Sequence, residues 1–474
     1  MTLTVEKIGG RSMAATEALL DNVLLPAARR SSPYGRIVVV SAYAGVTDQL
    51  LESKRGDGAG LHRLLATGSD WRPALGALET RLSSINRSLF RTPDATREAE
   101  AFLVERLTKL RCGLEDLEGL MRHASWQGTT LLQGAREWMA ALGEAHSAFN
   151  TALLLRERGV AGRFVDLTGW DDEAAATLEE RIARGLDTVD PGHELPILTG
   201  YAQCSEGLLQ RHGRGYTEVT LAAVAERVAA REVVVHKEFP LCSADPAIVG
   251  IKQARKVARI SYDLTGHLAS LGMEALHPQA ARRLRDAAIP LRIRSSFESK
   301  DPGTRVLPGT FEGEPAVQVI AGRAEVNVLE LFDECMQDLI ATDQQLLGAL
   351  KSAGLPLLGK QANASTLTHL VGGTRAEIEA ALQRAGMAED GRLSLARAAL
   401  VSVLGAGLGS VGAAPRACRA LAEAEIEPSG LIFGGRGTDL QVLVREDDLE
   451  PAIRALHSAL VERSPGSAAN RAAA

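Results

Sequence analysis

The chain has 474 residues, 45% of them hydrophobic, which is more than a single core usually holds and predicts two or three domains. Its formal net charge is -6, with both signs interspersed, so a nucleic acid partner is not expected. The five cysteines are scattered singly, without a C-x-x-C pair or histidines at zinc-site spacing, which argues against a disulfide framework and a structural metal site. No basic n-region leads into an apolar segment at the start, and no later apolar run is long enough to cross a bilayer. The expectation is a cytoplasmic protein with no membrane contact.

In chain order, residues 3–8 read as a strand that runs into Lys7-Ile8-Gly9-Gly10 and then a helical pattern over 13–25. Two glycines before a helix leave backbone N–H groups open to a phosphate, and the lysine adds a full charge. A tight turn with a surface lysine is the competing reading. A second strand, 37–41, ends in Ser41-Ala42-Tyr43-Ala44-Gly45-Val46-Thr47, small and hydroxyl residues at the end of a strand where open α/β sheets bind ligands. Ordinary capping of the next helix by Thr47 or Asp48 is compatible with that. Residues 49–143 are helical in pattern and read as an insertion packed beside the sheet. Strands at 162–167, 194–201 and 232–236 complete an α/β rhythm.

Pro and Gly punctuate residues 300–315, the preferred domain boundary. Beyond it, a strand at 316–319 with a helix near 333–353, and a strand at 398–404 with a helix near 415–424, give two stretches of similar order. The tail 464–474 is rich in Ser, Gly and Ala and is expected to be disordered.

Three further motifs complete a signature: Leu142-Gly143-Glu144-Ala145-His146-Ser147, Gly213-Arg214-Gly215-Tyr216-Thr217-Glu218 and Leu276-His277-Pro278. In order and spacing these resemble the aspartate kinases over essentially the whole chain. The resemblance implies an amino-acid-kinase domain over 1–310, mainly a parallel sheet between helices, then two ferredoxin-like ACT modules at 316–390 and 392–463. It implies transfer of phosphate from ATP, with Mg²⁺, to the side-chain carboxylate of L-aspartate, giving 4-phospho-L-aspartate. Lys7 would be the catalytic lysine, held by Glu218 where the family has an aspartate. Gly9, Gly10, Gly213 and Gly215 would cradle the nucleotide. Ser41, Thr47, Glu144 and Arg214 would bind aspartate, Glu144 at the ammonium and Arg214 as a fork for the α-carboxylate. No metal ligand from the protein is assigned.

The nucleotide side departs from the family. His236-Lys237 replaces Thr-Asp, Cys242 replaces a tyrosine, Ala247 follows Asp245-Pro246 where an arginine is usual, and Glu274 replaces a lysine. His236, Lys237 and Asp245 are the positions expected to face ATP, although Lys237 also reads as a strand-end surface lysine. His277 reads as a hydrogen-bonded structural histidine at a helix entry. An active specialised branch is favoured over a regulatory pseudokinase because Lys7, Glu144 and Arg214 are retained, and a kinase for another acidic amino acid is a third reading.

Gly407-Leu408-Gly409-Ser410-Val411-Gly412 fits a dinucleotide fingerprint, but about 60 residues remain after it, too few for the rest of a doubly wound sheet. The resemblance makes it a strand-to-helix junction of an ACT module, implies a homodimer or larger assembly, and allows an amino-acid effector at the ACT modules. Lys7-Ile8-Gly9-Gly10-Arg11 and Gly215-Tyr216-Thr217 resemble the branch associated with ectoine synthesis.

Overall fold

The computed structural model describes residues 3–26, 32–52, 59–123, 128–172, 175–271, 276–307, 315–334, 339–388 and 391–463, so Glu274 and the tail 464–474 lie outside the described residues. The chain forms two compact units, Met1–Pro240 with Leu276–Gly309, and Leu241–Ala275 with Thr310–Ala474.

The strands in chain order are β1 (Thr4–Ile8), β2 (Arg36–Val40), β3 (Gly162–Val165), β4 (Leu195–Thr199), β5 (Glu232–Lys237), β6 (Arg259–Ser261, in the second unit), β7 (Leu291–Ser295) and β8 (Thr304–Leu307). In the first unit they lie in the order β3-β4-β2-β1-β5-β7-β8. All neighbours up to β7 run parallel, and β8 closes the row antiparallel. Central β2 and β4 are buried at every position, as Val/Ile/Leu-rich strands of a sheet covered on both faces should be. β2, β4 and β3 lie on one side of β1 and β5 and β7 on the other, so the chain crosses over between β4 and β5, and the carboxyl ends of these strands form a switch point where ligands bind.

The helical stretch expected over 49–143 contains the helices Leu61–Ala66, Arg72–Leu89 and Pro93–His123. The next helix, Gly128–Glu157, does not stop at Gly143. Gly143 is a contact point instead: a Cβ there would stand 2.8 Å from Ala42 Cβ, so its lack of a side chain lets this helix close on the loop after β2. Glu144 therefore projects from the middle of a helix, on a rigid support.

Residues 241–275, expected within the first domain, fold with the second unit, where Ala244 is part of a core with Val401, Val403 and Leu456. This unit contains β9 (Ala316–Phe332), β10 (Leu357–Ala362), β11 (Thr366–Val371), β12 (Leu393–Ala406), β13 (Gly430–Phe433) and β14 (Asp439–Val444) in the order β10-β11-β9-β12-β14-β13. With the helices Leu339–Ser352 and Arg375–Arg384, β9 to β12 make one βαββαβ module. β12 continues through the helix Ala413–Glu423, β13, β14 and the helix Leu449–His457 to make the other. The modules are interlaced: Val326–Leu331 of β9 pairs with the first half of β12, and Ala316–Arg323 with its second half. The short strands expected at 316–319 and 398–404 are thus parts of two long ones. β9 carries Glu325 at φ 57, and the β9–β12 register shifts between Ala398 and Leu400, so the ladder passes the charged Arg323-Ala324-Glu325 stretch through a bulge. β13 and β14 pair antiparallel, which also excludes a dinucleotide fold after Gly407–Gly412.

Candidate active site

β1 alternates its side chains between the faces of the sheet. Glu6 points to one face, where it meets Arg36 Nη1 at 3.3 Å and His236 Nε2 at 2.9 Å. Lys7 points to the other, towards the helix Tyr216–Arg227, and its Nζ lies 3.3 Å from Glu218 Oε1. The second carboxylate oxygen of Glu218 accepts a close hydrogen bond from the backbone N–H of His277. One carboxylate thus fixes the lysine and ties the turn before the helix Pro278–Asp286 to it. The longer arm of Glu218 reaches Lys7 despite replacing an aspartate in the implied family pattern.

After β1 the chain turns at Gly9 and Gly10. A Cβ on Gly10 would lie 2.6 Å from Ala42 O, so only glycine lets this turn pack on the loop after β2. The position of a Cβ on Gly9 is 3.9 Å from Lys7 Nζ and 3.7 Å from the His236 carbonyl oxygen, which puts the glycine turn directly beside the lysine and the end of β5.

Glu144 is 2% exposed. Thr217 Oγ1 donates to its Oε1 at 2.8 Å, Ser41 Oγ lies 3.4 Å from Thr217 Oγ1, and Oε2 has no well-aligned partner. Burial pushes the Glu144 carboxyl up to about 8, against the hydrogen bond from Thr217 and the nearby charge of Lys7. Such a group is built to receive a cationic donor. Gly200, after β4, makes room for it, since a Cβ there would stand 2.4 Å from Thr217 Cγ2 and 2.9 Å from Glu144 Oε2.

Arg214 lies in the short 3-10 turn Gly213–Gly215, one turn ahead of Thr217 and Glu218. Gly213 has φ 56, and a Cβ on Gly215 would fall 2.3 Å from His277 Cδ2. The motif is therefore clamped over the His277 ring, whose nitrogen caps the next helix by accepting from Gln279 N–H at 3.3 Å. Arg214 Nη1 pairs closely with Asp48 Oδ1, and Nη2 donates to the Glu52 carbonyl. Thr47 precedes Asp48 in the helix Val46–Leu50.

Lys7, Gly9, Gly10, Ser41, Glu144, Gly213, Arg214, Gly215 and Glu218 all gather at the carboxyl ends of β1, β2 and β4. His236 does not join them. It pairs with Ile8 in register, so it points to the face opposite Lys7, where it is buried on Glu6. The side chain of His236, expected among the ATP-binding positions, is therefore on the face of the sheet away from Lys7. Lys237, one residue on, returns to the face of Lys7. Asp245 caps the helix Pro246–Val249, accepting from Ala247 N–H at 2.9 Å, and belongs to the second unit. Thr217 and Gly200 are site residues that sequence reasoning passed over, and so is the pairing of Asp48, beside the site, with Arg214. Thr217 was inside a recognised motif, and Gly200 ends a buried strand; Asp48 gave no signal beyond helix capping.

Residues 2–295 match the amino acid kinase family, and the chain belongs to that family. Over 466 residues, covering 97% of both proteins, it is 38% identical to aspartate kinase Ask_Ect of Stutzerimonas stutzeri. It is 22% identical over 489 residues to chloroplastic aspartokinase 2 of Arabidopsis thaliana, covering 97% of this chain and 85% of that one. Within the amino acid kinases, the chain is an aspartate kinase. The crystal structure of E. coli aspartokinase III in complex with aspartate and ADP shares its fold at a TM-score of 0.71 and 22% identity, covering 97% of this chain and 99% of that one.

Proposed function

We infer that this aspartate kinase binds the ammonium of L-aspartate at Glu144 and its α-carboxylate at Arg214, and directs the side-chain carboxylate towards the γ-phosphate of ATP beside Lys7. The observation carrying this is that the turn Gly213–Gly215 and the first residues of the helix that follows it bring together Arg214, the Thr217 that grips Glu144 and the Glu218 that grips Lys7. An α-amino acid is recognised by a fork and a carboxylate, and phosphate by a lysine and two glycines.

The chemistry asks for no general base, because an aspartate side chain with a pKa of about 3.9 is already an anionic nucleophile at neutral pH. Lys7 offsets repulsion between the two anions, and rigid placement supplies the in-line geometry. Among the described residues no cluster of three or more His, Cys, Asp or Glu could hold a metal, so a Mg²⁺ ion would arrive on the nucleotide's phosphates, where it neutralises charge. Lys237 lies on the face of Lys7 and suits the phosphate side.

Among the described residues no helix is long and apolar enough to cross a membrane, consistent with work in the cytoplasm. The interlaced modules suit pairing with a second chain and an amino-acid effector. The likeness to Ask_Ect, with the Lys7–Arg11 motif, supports a place in ectoine synthesis.

The test is ADP release with ATP, Mg²⁺ and L-aspartate, with hydroxylamine trapping the acyl phosphate. Hydroxamate that needs L-aspartate and Lys7 is the expected result. Equal turnover with L-glutamate, or turnover retained in Lys7→Ala, would overturn the assignment of substrate or lysine.

A further inference from the structure

Arg214 has a partner that the proposed reaction does not use. Its side chain is 16% exposed, so its guanidinium needs acceptors, and Asp48 Oδ1 and the Glu52 carbonyl supply them at the two terminal nitrogens. Asp48 is the same chemical group as the α-carboxylate that Arg214 is assigned to receive. Two carboxylates cannot share one edge of a guanidinium without strong mutual repulsion.

The two partners differ in how freely they can leave. The Asp48 side chain is 42% exposed and can turn into water with its charge solvated, whereas Arg214 is 16% exposed and rises from a turn whose Gly215 backbone packs against the His277 ring. The helix bearing Asp48, Val46–Leu50, does not have to move with it. Arg81 Nη1 donates to Gln49 Oε1 at 2.9 Å, its Nη2 donates to the Ala44 carbonyl, and Arg136 pairs with Glu52. A side-chain rotation on a pinned helix is enough.

We propose that Asp48 competes with the substrate's α-carboxylate for Arg214, so that each aspartate bound must displace an internal carboxylate. Asp48 thereby sets the affinity for aspartate without touching it. This rests on the assignment of Arg214 made above.

The test is Asp48→Asn, which keeps the shape and a neutral acceptor but removes the charge. KM for aspartate is expected to fall about three- to tenfold, the range of a partly exposed ion pair, with kcat and the KM for ATP in place. Direct titration with aspartate should show the same gain. If Asp48→Asn does not fold, Asp48→Ser serves the same purpose. A raised or unchanged KM for aspartate overturns the proposal, since Asp48 would then be aligning Arg214 or be inert.

The second arm repeats the change in Arg214→Ala. There the Asp48 substitution should have no further effect; an equal gain would mean that Asp48 acts on the substrate directly and would also overturn the proposal. Arg214→Ala alone must raise the KM for aspartate. If it does not, the failure lies with the assignment of Arg214 to the α-carboxylate.

Discussion

Glu218 joins Lys7, 211 residues away in sequence, to the backbone N–H of His277, so a single carboxylate bridges β1 and the entry to the helix Pro278–Asp286. Glu218→Gln keeps an acceptor for His277 but removes the charge facing Lys7. Steady-state kinetics should show kcat lowered about 10- to 100-fold, the worth of a charge-assisted hydrogen bond, with little change in thermal stability. Unchanged kcat would show that Lys7 is oriented by something else. Glu218→Asp should also lose rate, because the shorter arm cannot reach both partners.

With the substrate ammonium at Glu144, as proposed, the raised carboxyl predicts that aspartate binding releases a proton. At pH 7 the group is mostly protonated, and an ammonium beside it favours the ionised form. Calorimetry in buffers of different ionisation enthalpy should detect close to one proton released per aspartate bound, and none in Glu144→Gln. Absence of release in the unsubstituted protein would contradict the buried, neutral state.

The same group predicts how stability varies with pH. Its folded value, about 8, lies above the ordinary 4.5, so between these the folded protein holds a proton that the unfolded chain does not. Its contribution is full below about pH 4.5 and is lost as pH rises through 8, at no more than ~1.4 kcal/mol per pH unit. Without aspartate, denaturant midpoints between pH 5.5 and 8 should fall more steeply for the unsubstituted protein than for Glu144→Gln. Parallel curves would count against it.

Gly215→Ala drives a methyl into the His277 ring and should lower kcat/KM for aspartate at least about tenfold, as misplacement of a binding group does. His277→Ala clears the space and keeps the N–H that Glu218 needs. The double variant should therefore recover most of the loss. If it does not, Gly215 is required for something other than room.

On the opposite face of the sheet, the Arg36 and Glu6 side chains are 1% and 4% exposed, with His236 beside them. Glu6→Gln removes a buried negative charge that faces both Arg36 and His236 and should destabilise the protein by about 3–5 kcal/mol in denaturant unfolding. A loss under about 1 kcal/mol would mean that the carbonyls of Pro33, Val23 and Leu24, which also accept from Arg36, suffice.

Much of the site was legible because it sits on local signals: glycines after β1, hydroxyls after β2, and a glycine-flanked arginine before a helix. What was not legible is tertiary. Thr217 and Glu144 are 73 residues apart, and Arg214 and Asp48 166 apart, and nothing in either segment announces its partner. The face that His236 takes depends on register, which a strand end read alone does not give; one residue of alternation separates it, buried on Glu6, from the face of Lys7. The helical stretch was bounded at Gly143, whose role is close packing within a longer helix, and the strand expected at 316–319 was cut short of the bulge at Arg323-Ala324-Glu325 that carries it onward.

The lending of strand halves between β9 and β12 bears on how this protein could be taken apart. A break engineered near residue 391, where the sequence suggests a seam between tandem repeats, would leave each piece with an unpaired strand edge of six or more residues. Neither piece should express as a monomeric, well-behaved sensor. Mixed together, the fragments should instead find each other and restore the missing ladder, so this region is suited to fragment complementation and poorly suited to swapping one module for another.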